Sequence, residues 1–280
     1  MRTISFKADS DCTAEELLVS SGVSKRLLRR LKRTHGAITK NGSHIRTIDS
    51  VKAGESIVII LSDEKTLTPN PKLFAKVLYE DGDVVVYDKP PDMPVHPSLK
   101  HYDDSLGNLF AASYKDITFR PLNRLDRNTS GVCICAKNVF AASRVSQSIT
   151  KVYYAAVCGK IEGKGVIDLP IARVNDSIIK RRVADCGQRA ITEYEAVLNS
   201  LSGHYTLLKI ILGTGRTHQI RVHLSHIGHP LAGDDMYGGE LCDIKRQALH
   251  CGCASFVGTD GKRITVESEL PQDIKSLMRI

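Results

Sequence analysis

The sequence has no long apolar run. Its longest apolar stretches, such as residues 57–61, are far too short to cross a bilayer. The first residues also lack the apolar segment of a secretory signal. We therefore expect a cytoplasmic protein that does not bind membranes. With 280 residues, 42% of them hydrophobic, the chain is long enough for two domains of unequal size.

The sequence also has no Gly-rich phosphate-binding loop and no convincing set of metal ligands. Its eight cysteines lie mostly in apolar, strand-like segments, which is typical of reduced, buried thiols. The Cys-x-Cys pairs at 133/135 and 251/253 have a single residue between the thiols, whereas structural zinc sites usually have about two to four. We interpret these thiols as core residues.

Four histidines, at positions 218, 223, 226 and 229, have spacings that resemble a set of metal ligands, and Asp234 or Asp235 could join them. A metal-dependent hydrolase is therefore an alternative. Packing and contact with RNA are the interpretation we prefer for these side chains, so we expect no metal and no small-molecule cofactor.

Positive charge is concentrated near the N-terminus. The net charge is +8, and residues 1–62 contain eleven Lys and Arg against six Asp and Glu, which places +5 in this segment. A basic N-terminal segment of this kind indicates a polyanionic partner, usually RNA or DNA.

Two short helices are predicted in this segment. Thr13 is a natural N-cap with Glu16 three residues later, and Gly22 ends the first helix. Ser24 caps a second helix over residues 25–32, in which three leucines form an apolar stripe. A solvated helix face usually mixes charges of both signs, so a purely cationic face indicates contact with a phosphate backbone, although an ordinary surface helix stays possible. The predicted RNA-binding residues are Lys25, Arg26, Arg29, Arg30 and Arg33.

An Asn-Gly turn at 41–42 predicts a hairpin, and residues 51–60 are predicted to form a strand. With the two helices and the turn around Gly54, residues 13–61 resemble the small RNA-binding module named after the fourth small-subunit ribosomal protein. In that family the cationic second helix faces RNA. We predict an RNA-binding module at 1–62, a polar linker with two prolines at 63–75, and a larger domain at 76–280.

The most informative segment is residues 120–137. Gly131 is predicted to open a buried strand, so that Asp126 lies in a tight polar turn, which Thr129 and Ser130 hold by local hydrogen bonds. An Asp at such a place is most often only a turn former. Here, however, the sequence from Arg124 to Gly131, Arg-Leu-Asp-x-x-Thr-Ser-Gly, resembles the hallmark of the RluA-type pseudouridine synthases.

Further motifs follow in the order of that family. Residues 151–153, Lys-Val-Tyr, resemble its Lys-x-Tyr strand, and residues 212–224 contain its His-Gln-Ile-Arg motif. We predict a strand over 205–212 and then a helix with Thr217 as N-cap. Arg221 then lies within about a turn of the helix N-terminus, where a cation is disfavoured unless an anion lies opposite.

The resemblance covers residues 77–275 and implies an α+β fold, with a mixed, largely antiparallel central sheet flanked by helices. It also implies the isomerisation of uridine to pseudouridine without a cofactor. Asp126 is then the catalytic carboxylate, Tyr153 stacks on the target base, and Arg221 pairs with Asp126 and keeps it ionised. Arg124 is placed to fill the space that the base vacates or to hold phosphates. One departure is Asn123, where the family usually has His.

The expected partner is RNA. An appended N-terminal module is common in members that act on large-subunit ribosomal RNA, so this is our first choice of substrate, with transfer RNA second. We expect a monomer. The second alternative is a non-catalytic RNA-binding or ribosome-assembly protein that uses the same basic module.

Overall fold

The computed structural model describes residues 2–61, 67–175, 177 and 179–279. Two large sheets organise these residues, and two small two-stranded sheets accompany them. The first sheet has four strands and lies in the N-terminal segment, and the second has ten strands and contains most of the larger domain. None of the helices in these ranges has the length and apolarity that a membrane crossing requires. The N-terminal elements are β1 (Arg2–Lys7), β2 (Cys12–Thr13), α1 (Ala14–Ser20), α2 (Lys25–Arg33), β3 (Ile38–Lys40), β4 (Ser43–His44), β5 (Ser50–Val51) and β6 (Ser56–Leu61).

Both predicted N-terminal helices are confirmed. The backbone N–H of Glu16 donates to the Thr13 hydroxyl at 3.2 Å, while the Glu16 carboxylate accepts the backbone N–H of Thr13 at 2.8 Å. This reciprocal capping box starts α1. Ser24 caps α2, whose three leucines are buried as predicted. The helix runs one residue beyond its predicted end.

The predicted strand over residues 51–60 is wrong in one respect. It is two strands, because a turn at residues 52–55 separates β5 from β6. The Glu55 carboxylate accepts the backbone N–H of Lys52 at 2.8 Å, and Gly54 has a left-handed φ of 84°. These two features end the pairing of β5 with β2 and redirect the chain into β6, which pairs with β1 and β3.

The N-terminal segment packs around its own apolar cluster, to which Phe140 and Val139 of the larger domain contribute. Phe140 is buried in that cluster, with its ring centroid 5.5 Å from that of Phe6 in an edge-to-face arrangement. Of the predicted linker, residues 63–66 lie outside the described residues. Residues 67–75 run along the larger domain, where the Asn108 side chain donates to the Thr68 carbonyl at 2.8 Å. The boundary at residue 62 stays a prediction.

The central sheet has the predicted mixed, largely antiparallel character. Its strand order is β12-β15-β16-β11-β17-β10-β8-β7, with β18 added beside β17 and β9 beside β10. The strands of the larger domain are β7 (Lys76–Glu80), β8 (Val84–Lys89), β9 (Arg120–Pro121), β10 (Ser130–Ala136), β11 (Thr150–Cys158), β12 (Lys164–Asp168), β13 (Ile171–Arg173), β14 (Arg181–Val183), β15 (Ile191–Asn199), β16 (Tyr205–Leu212), β17 (Leu249–Val257) and β18 (Arg263–Glu267). The helices are α3 (Leu106–Ser113), α4 (Val139–Val145), α5 (Gln219–His226) and α6 (Gln272–Met278), with a 3₁₀ turn at Asp235–Tyr237.

The cysteine interpretation is confirmed for part of the set. All eight thiols are free, and those of Cys133, Cys135 and Cys251 are buried in the strands of the core. Cys186 and Cys242 are exposed, because both lie in loops between the strands.

One glycine fixes the start of β10, the strand that follows the predicted catalytic turn. Gly131 pairs in parallel with Cys251 of β17 and has a φ of 108°. A Cβ atom at this position would clash with the backbone carbonyl of Cys251. Gly131 therefore allows the turn that contains Asp126 to lie directly against β17.

We expect Gly131→Ala to lower the free energy of unfolding by about 2–5 kcal/mol, because the positive φ costs about 1–2 kcal/mol and overpacking costs about 1–3 kcal/mol more. Gly261→Ala is the matched control, since Gly261 has a φ of 84° but faces open space, with no described neighbour within 4 Å of the position that the alanine methyl group would take. Denaturant titration of both variants measures the difference. Equal losses would show that the contact with Cys251 is unimportant.

Candidate active site

A pocket of about 370 Å³ opens between the turn after β9, strand β11 and the start of α5. The three predicted catalytic residues, Asp126, Tyr153 and Arg221, all line it, and Arg124 lies at the same pocket with an exposed side chain. Segments that are far apart in the sequence therefore meet at one place. The predicted RNA-binding residues of α2 do not line this pocket.

Arg221 connects two carboxylates at the base of this pocket. Its Nη1 donates to Oδ2 of Asp126 at 3.1 Å, while its Nε and Nη2 donate to the two carboxylate oxygens of Asp234 at 2.7 and 2.8 Å. The side chain of Asp234 is fully buried, whereas that of Asp126 is 28% exposed. Asp234 thus holds the guanidinium in place, and Asp126 faces the pocket.

Burial opposes the charge of Arg221, but its hydrogen bonds and attraction to Asp234 and Asp126 outweigh this effect and raise the pKa of Arg221. The guanidinium is therefore charged at neutral pH. From the sequence, Asp234 is a candidate only as a metal ligand, because nothing in the local sequence indicates which cation an isolated Asp will meet.

The start of α5 differs from the prediction. The N-cap is His218, not Thr217, and its side chain does not cap the helix. The Gln219 side-chain carbonyl replaces a cap, since it accepts the backbone N–H of Arg216 at 2.9 Å and the hydroxyl of Thr214 at 2.8 Å. The preceding loop is thereby closed onto the helix by a residue that the sequence pattern placed in the first turn of the helix.

The four clustered histidines have separate environments. His223 is buried between the Thr192 hydroxyl and the Leu169 carbonyl, and His229 contacts the Cys158 carbonyl. His226 is exposed, and His218 lines the pocket. Within the described ranges no group of three or more His, Cys, Asp or Glu side chains is arranged to hold a metal ion.

Tyr153 enters the pocket from β11. The pairing of β11 with β17 shifts register between Val152 and Tyr153, and such a bulge changes the direction in which a side chain points. Burial raises the pKa of the Tyr153 hydroxyl well above its ordinary value, so the ring is neutral. A neutral aromatic ring in a pocket of this size can stack on a planar base.

The turn containing Asp126 is held by distant side chains rather than by the predicted local ones. The backbone N–H of Thr129 does donate to the Asp126 carbonyl at 3.0 Å. The Thr129 hydroxyl, however, accepts from Gln247 at 3.4 Å, and the Ser130 hydroxyl contacts Nδ1 of His250 at 2.9 Å. The predicted local side-chain bonds are wrong because β17 and the residues just before it lie close enough to offer these partners.

Asn123, where the resembled family usually has His, anchors the same segment to β10. Its side-chain amide donates to the Val132 carbonyl at 3.0 Å and accepts the backbone N–H of Ile134 at 2.8 Å. Asn123 is buried and makes two backbone bonds that align the chain three residues before Asp126.

Lys89 also holds the turn that contains Asp126, and the sequence did not predict this role. Its buried ammonium donates to the carbonyls of Pro90, Met93 and Arg127 at 2.6, 2.8 and 3.0 Å. Burial lowers the pKa of Lys89 to about 7. The side chain links the loop that follows β8 to the residue directly after Asp126. A Lys at the end of a strand gives no sequence signal of such a position.

Comparison with known proteins gives one consistent result. Residues 83–226 match the family model described as RNA pseudouridylate synthase. The uncharacterized RNA pseudouridine synthase YjbO of Bacillus subtilis is 36% identical, over 95% of this chain and 98% of its own length. The ribosomal large subunit pseudouridine synthase D of Pseudomonas aeruginosa is 35% identical, over 88% of this chain and 84% of its own length.

A solved structure agrees with these relatives. The human RNA pseudouridylate synthase domain containing 1 superposes with a TM-score of 0.60 at 25% identity, over 72% of this chain and 86% of the human chain. Sequence motifs, fold and relatives therefore point to the same group. The chain belongs to the RluA family of RNA pseudouridine synthases, enzymes that isomerise uridine to pseudouridine in RNA.

Proposed function

We propose that this enzyme modifies specific uridines of large-subunit ribosomal RNA, with Asp126 as its essential carboxylate. The observation that carries the assignment of Asp126 is its contact with Arg221 at 3.1 Å, at the base of a pocket that is open to solvent and lined by Tyr153. Its partly exposed carboxylate is accessible to a nucleotide, and its orientation is fixed by a buried guanidinium.

The chemistry requires such a carboxylate. Isomerisation breaks the bond between C1′ of the ribose and N1 of uracil, rotates the base, and forms a bond from C1′ to C5. The electron pair of the broken bond leaves with the base, so the sugar develops positive charge. An ionised carboxylate stabilises that charge, either by bonding to C1′ or by accepting a proton from the sugar. Asp126 suits either route.

Neighbouring residues have supporting roles in this proposal. A uridine inside structured RNA has to leave its stack, at a cost of a few kcal/mol. Stacking on Tyr153 recovers about 1–3 kcal/mol of that cost. Arg221, itself fixed by Asp234, orients Asp126. The exposed Arg124 at the same pocket fills the vacated space or holds phosphates.

The N-terminal segment is proposed to grip the RNA through α2. Lys25, Arg26, Arg29 and Arg33 are exposed on this helix, and Arg30 is half-buried. No acidic residue lies within α2, and its remaining cation, Lys32, pairs with Glu15 of α1 at 2.7 Å. An exposed face of one charge sign favours a phosphate backbone as partner.

Ribosomal RNA is preferred over transfer RNA because several relatives, from Pseudomonas aeruginosa, Buchnera aphidicola and Xanthomonas campestris, carry the name ribosomal large subunit pseudouridine synthase D. We further propose that the enzyme acts in the cytoplasm as a monomer. The two alternatives, a metal-dependent hydrolase and a non-catalytic RNA-binding protein, account for neither the Asp126 pocket nor the family match.

Asp126→Asn should abolish turnover, because the amide keeps the shape of the carboxylate but cannot stabilise positive charge on the sugar. Release of tritium from RNA labelled at C5 of uracil measures turnover. Filter binding should show RNA affinity within about twofold of wild type, because replacing this carboxylate by an amide removes no contact with a phosphate. The control is Asp235→Asn, an exposed acid near the pocket. Normal product formation by Asp126→Asn would contradict the proposal.

Replacing Arg26, Arg29 and Arg33 together by Gln should weaken RNA binding and flatten its salt dependence. Each lost phosphate contact lowers the slope of log K against log salt by about one. The control replaces Lys160, Lys164 and Lys262, exposed cations of the larger domain, by Gln. The control variant should keep the wild-type slope. If the α2 variant keeps it as well, α2 does not bind phosphates.

Deleting the gene should remove pseudouridine from one or more positions of large-subunit ribosomal RNA and leave transfer RNA unchanged, because the enzyme is proposed to act on the former. Mapping of pseudouridines in total RNA from the deletion strain and its parent measures this. Complementation with wild type, but not with Asp126→Asn, is the control. Loss confined to transfer RNA would reverse the choice of substrate.

A further inference from the structure

His218 has a backbone conformation that L-residues rarely adopt. Its φ is 56°, and of the six non-glycine residues with positive φ in the described ranges it is the one that lines the active-site pocket. Such a conformation is unfavourable for a residue with a Cβ atom and persists where the surrounding structure enforces it. Helix capping does not account for it, because the His218 side chain makes no capping bond and Gln219 closes the loop instead.

The conformation places the imidazole between two groups of the site. Nδ1 lies 2.8 Å from the hydroxyl of Tyr237, and Nε2 lies 3.7 Å from Oδ2 of Asp126. The side chain is 8% exposed. The Tyr237 ring meets the imidazole edge to face, and the guanidinium of Arg221 lies over the same ring, 4.9 Å from its centroid. His218 is thus held by the same cluster that orients the catalytic carboxylate.

The hydrogen bonds indicate which ring nitrogen carries the proton. The Tyr237 hydroxyl accepts the backbone N–H of Arg181 at 2.9 Å and has its own proton to donate to Nδ1 of His218. Burial lowers the pKa of His218, so the ring is neutral near pH 7 and has one N–H. With Nδ1 as acceptor, that N–H is on Nε2. A lone pair on Nε2 would instead repel the Asp126 carboxylate, which supports the same tautomer.

The N–H on Nε2 is not consumed by Asp126, because 3.7 Å is too long for a hydrogen bond. Because His218 lines the pocket together with Asp126, this N–H is available to a ligand beside the carboxylate. In the proposed reaction the carboxylate faces C1′ of the target uridine, and the C2 carbonyl is the uracil oxygen nearest to C1′. A donor next to the carboxylate can reach that oxygen.

We propose that His218 is a catalytic residue that donates its Nε2–H to the C2 oxygen of the departing uracil. This inference rests on the proposed function of Asp126. When the C1′–N1 bond breaks, its electron pair stays with the base and negative charge spreads to the ring oxygens. His218 stabilises this charge by a hydrogen bond and keeps its proton throughout. A fixed donor aimed at developing charge lowers the barrier without reorganisation of solvent.

The first test is His218→Gly, which removes the imidazole and adopts positive φ without strain. The melting temperature should stay equal to that of wild type or rise, while kcat falls about 100-fold, as expected for loss of one donor to developing charge. KM for RNA should change less than about threefold, since the donor acts on charge that develops after binding. The control His226→Gly removes an exposed histidine of the same helix and should keep kcat. Unchanged kcat in His218→Gly would overturn the inference.

The second test identifies the atom. Ribosomal RNA is prepared with 2-thiouridine or 4-thiouridine at the target position, because sulfur is a weaker hydrogen-bond acceptor than oxygen. Wild type should be slowed by the 2-thio substitution, and His218→Gly should be insensitive to it, whereas the 4-thio substitution should affect both enzymes equally. A 2-thio effect of the same size in both enzymes, or its absence in wild type, would overturn the assignment.

Tyr237→Phe provides an independent variant, since it removes the hydroxyl that orients the imidazole but keeps the ring over Arg221. It should lower kcat by a smaller factor than His218→Gly, and it should add little when the two are combined. Full additivity of the two losses would contradict a shared role.

Turnover by wild type on unmodified RNA distinguishes failure of this inference from failure of the proposed function. If wild type shows no turnover, the proposed function and this inference are both overturned. If wild type is active and His218→Gly is equally active, this inference alone is overturned.

Discussion

The site depends on one buried cation. A guanidinium removed from water is costly unless anions and hydrogen bonds compensate it, and Arg221 obtains this compensation from Asp234 through two bonds and from Asp126 through one. The turn that contains Asp126 is therefore drawn to α5 and to the loop after it, which follow 95 or more residues later. The partner that is fully buried serves as an anchor, and the partner that is partly exposed retains a free face for chemistry.

Around this cation the backbone is held by bonds between elements rather than within them. Lys89, at the end of β8, donates hydrogen bonds to three backbone carbonyls. Asn123 bonds to the backbone of β10, and Ser130 contacts His250 of β17. Each of these bonds constrains the short turn that contains Asp126. These bonds fix the turn although it has no regular secondary structure, which suits the catalytic role proposed for Asp126.

The sequence predicted the elements better than the contacts between them. The strand at 205–212 and the two N-terminal helices follow from apolar periodicity and capping residues, which are local signals. The meeting of Asp126 with Arg221, 95 residues apart, came only from the family resemblance. Asp234, Lys89 and the ring of His218 were not recognised, because their roles depend on partners brought close by folding. The cap at Thr217 was wrong because the Gln219 side chain closes the loop by accepting from Arg216 and Thr214, and the helix begins after His218.

The insertion of Phe140 into the N-terminal apolar cluster has a consequence for substrate choice. Phe140 belongs to α4, which begins three residues after β10 ends, so the basic helix α2 is joined to the active-site sheet through a short, packed path. If α2 binds the RNA as proposed, this path sets the distance between the bound phosphates and the active site. That distance would then select among uridines with the same neighbouring bases.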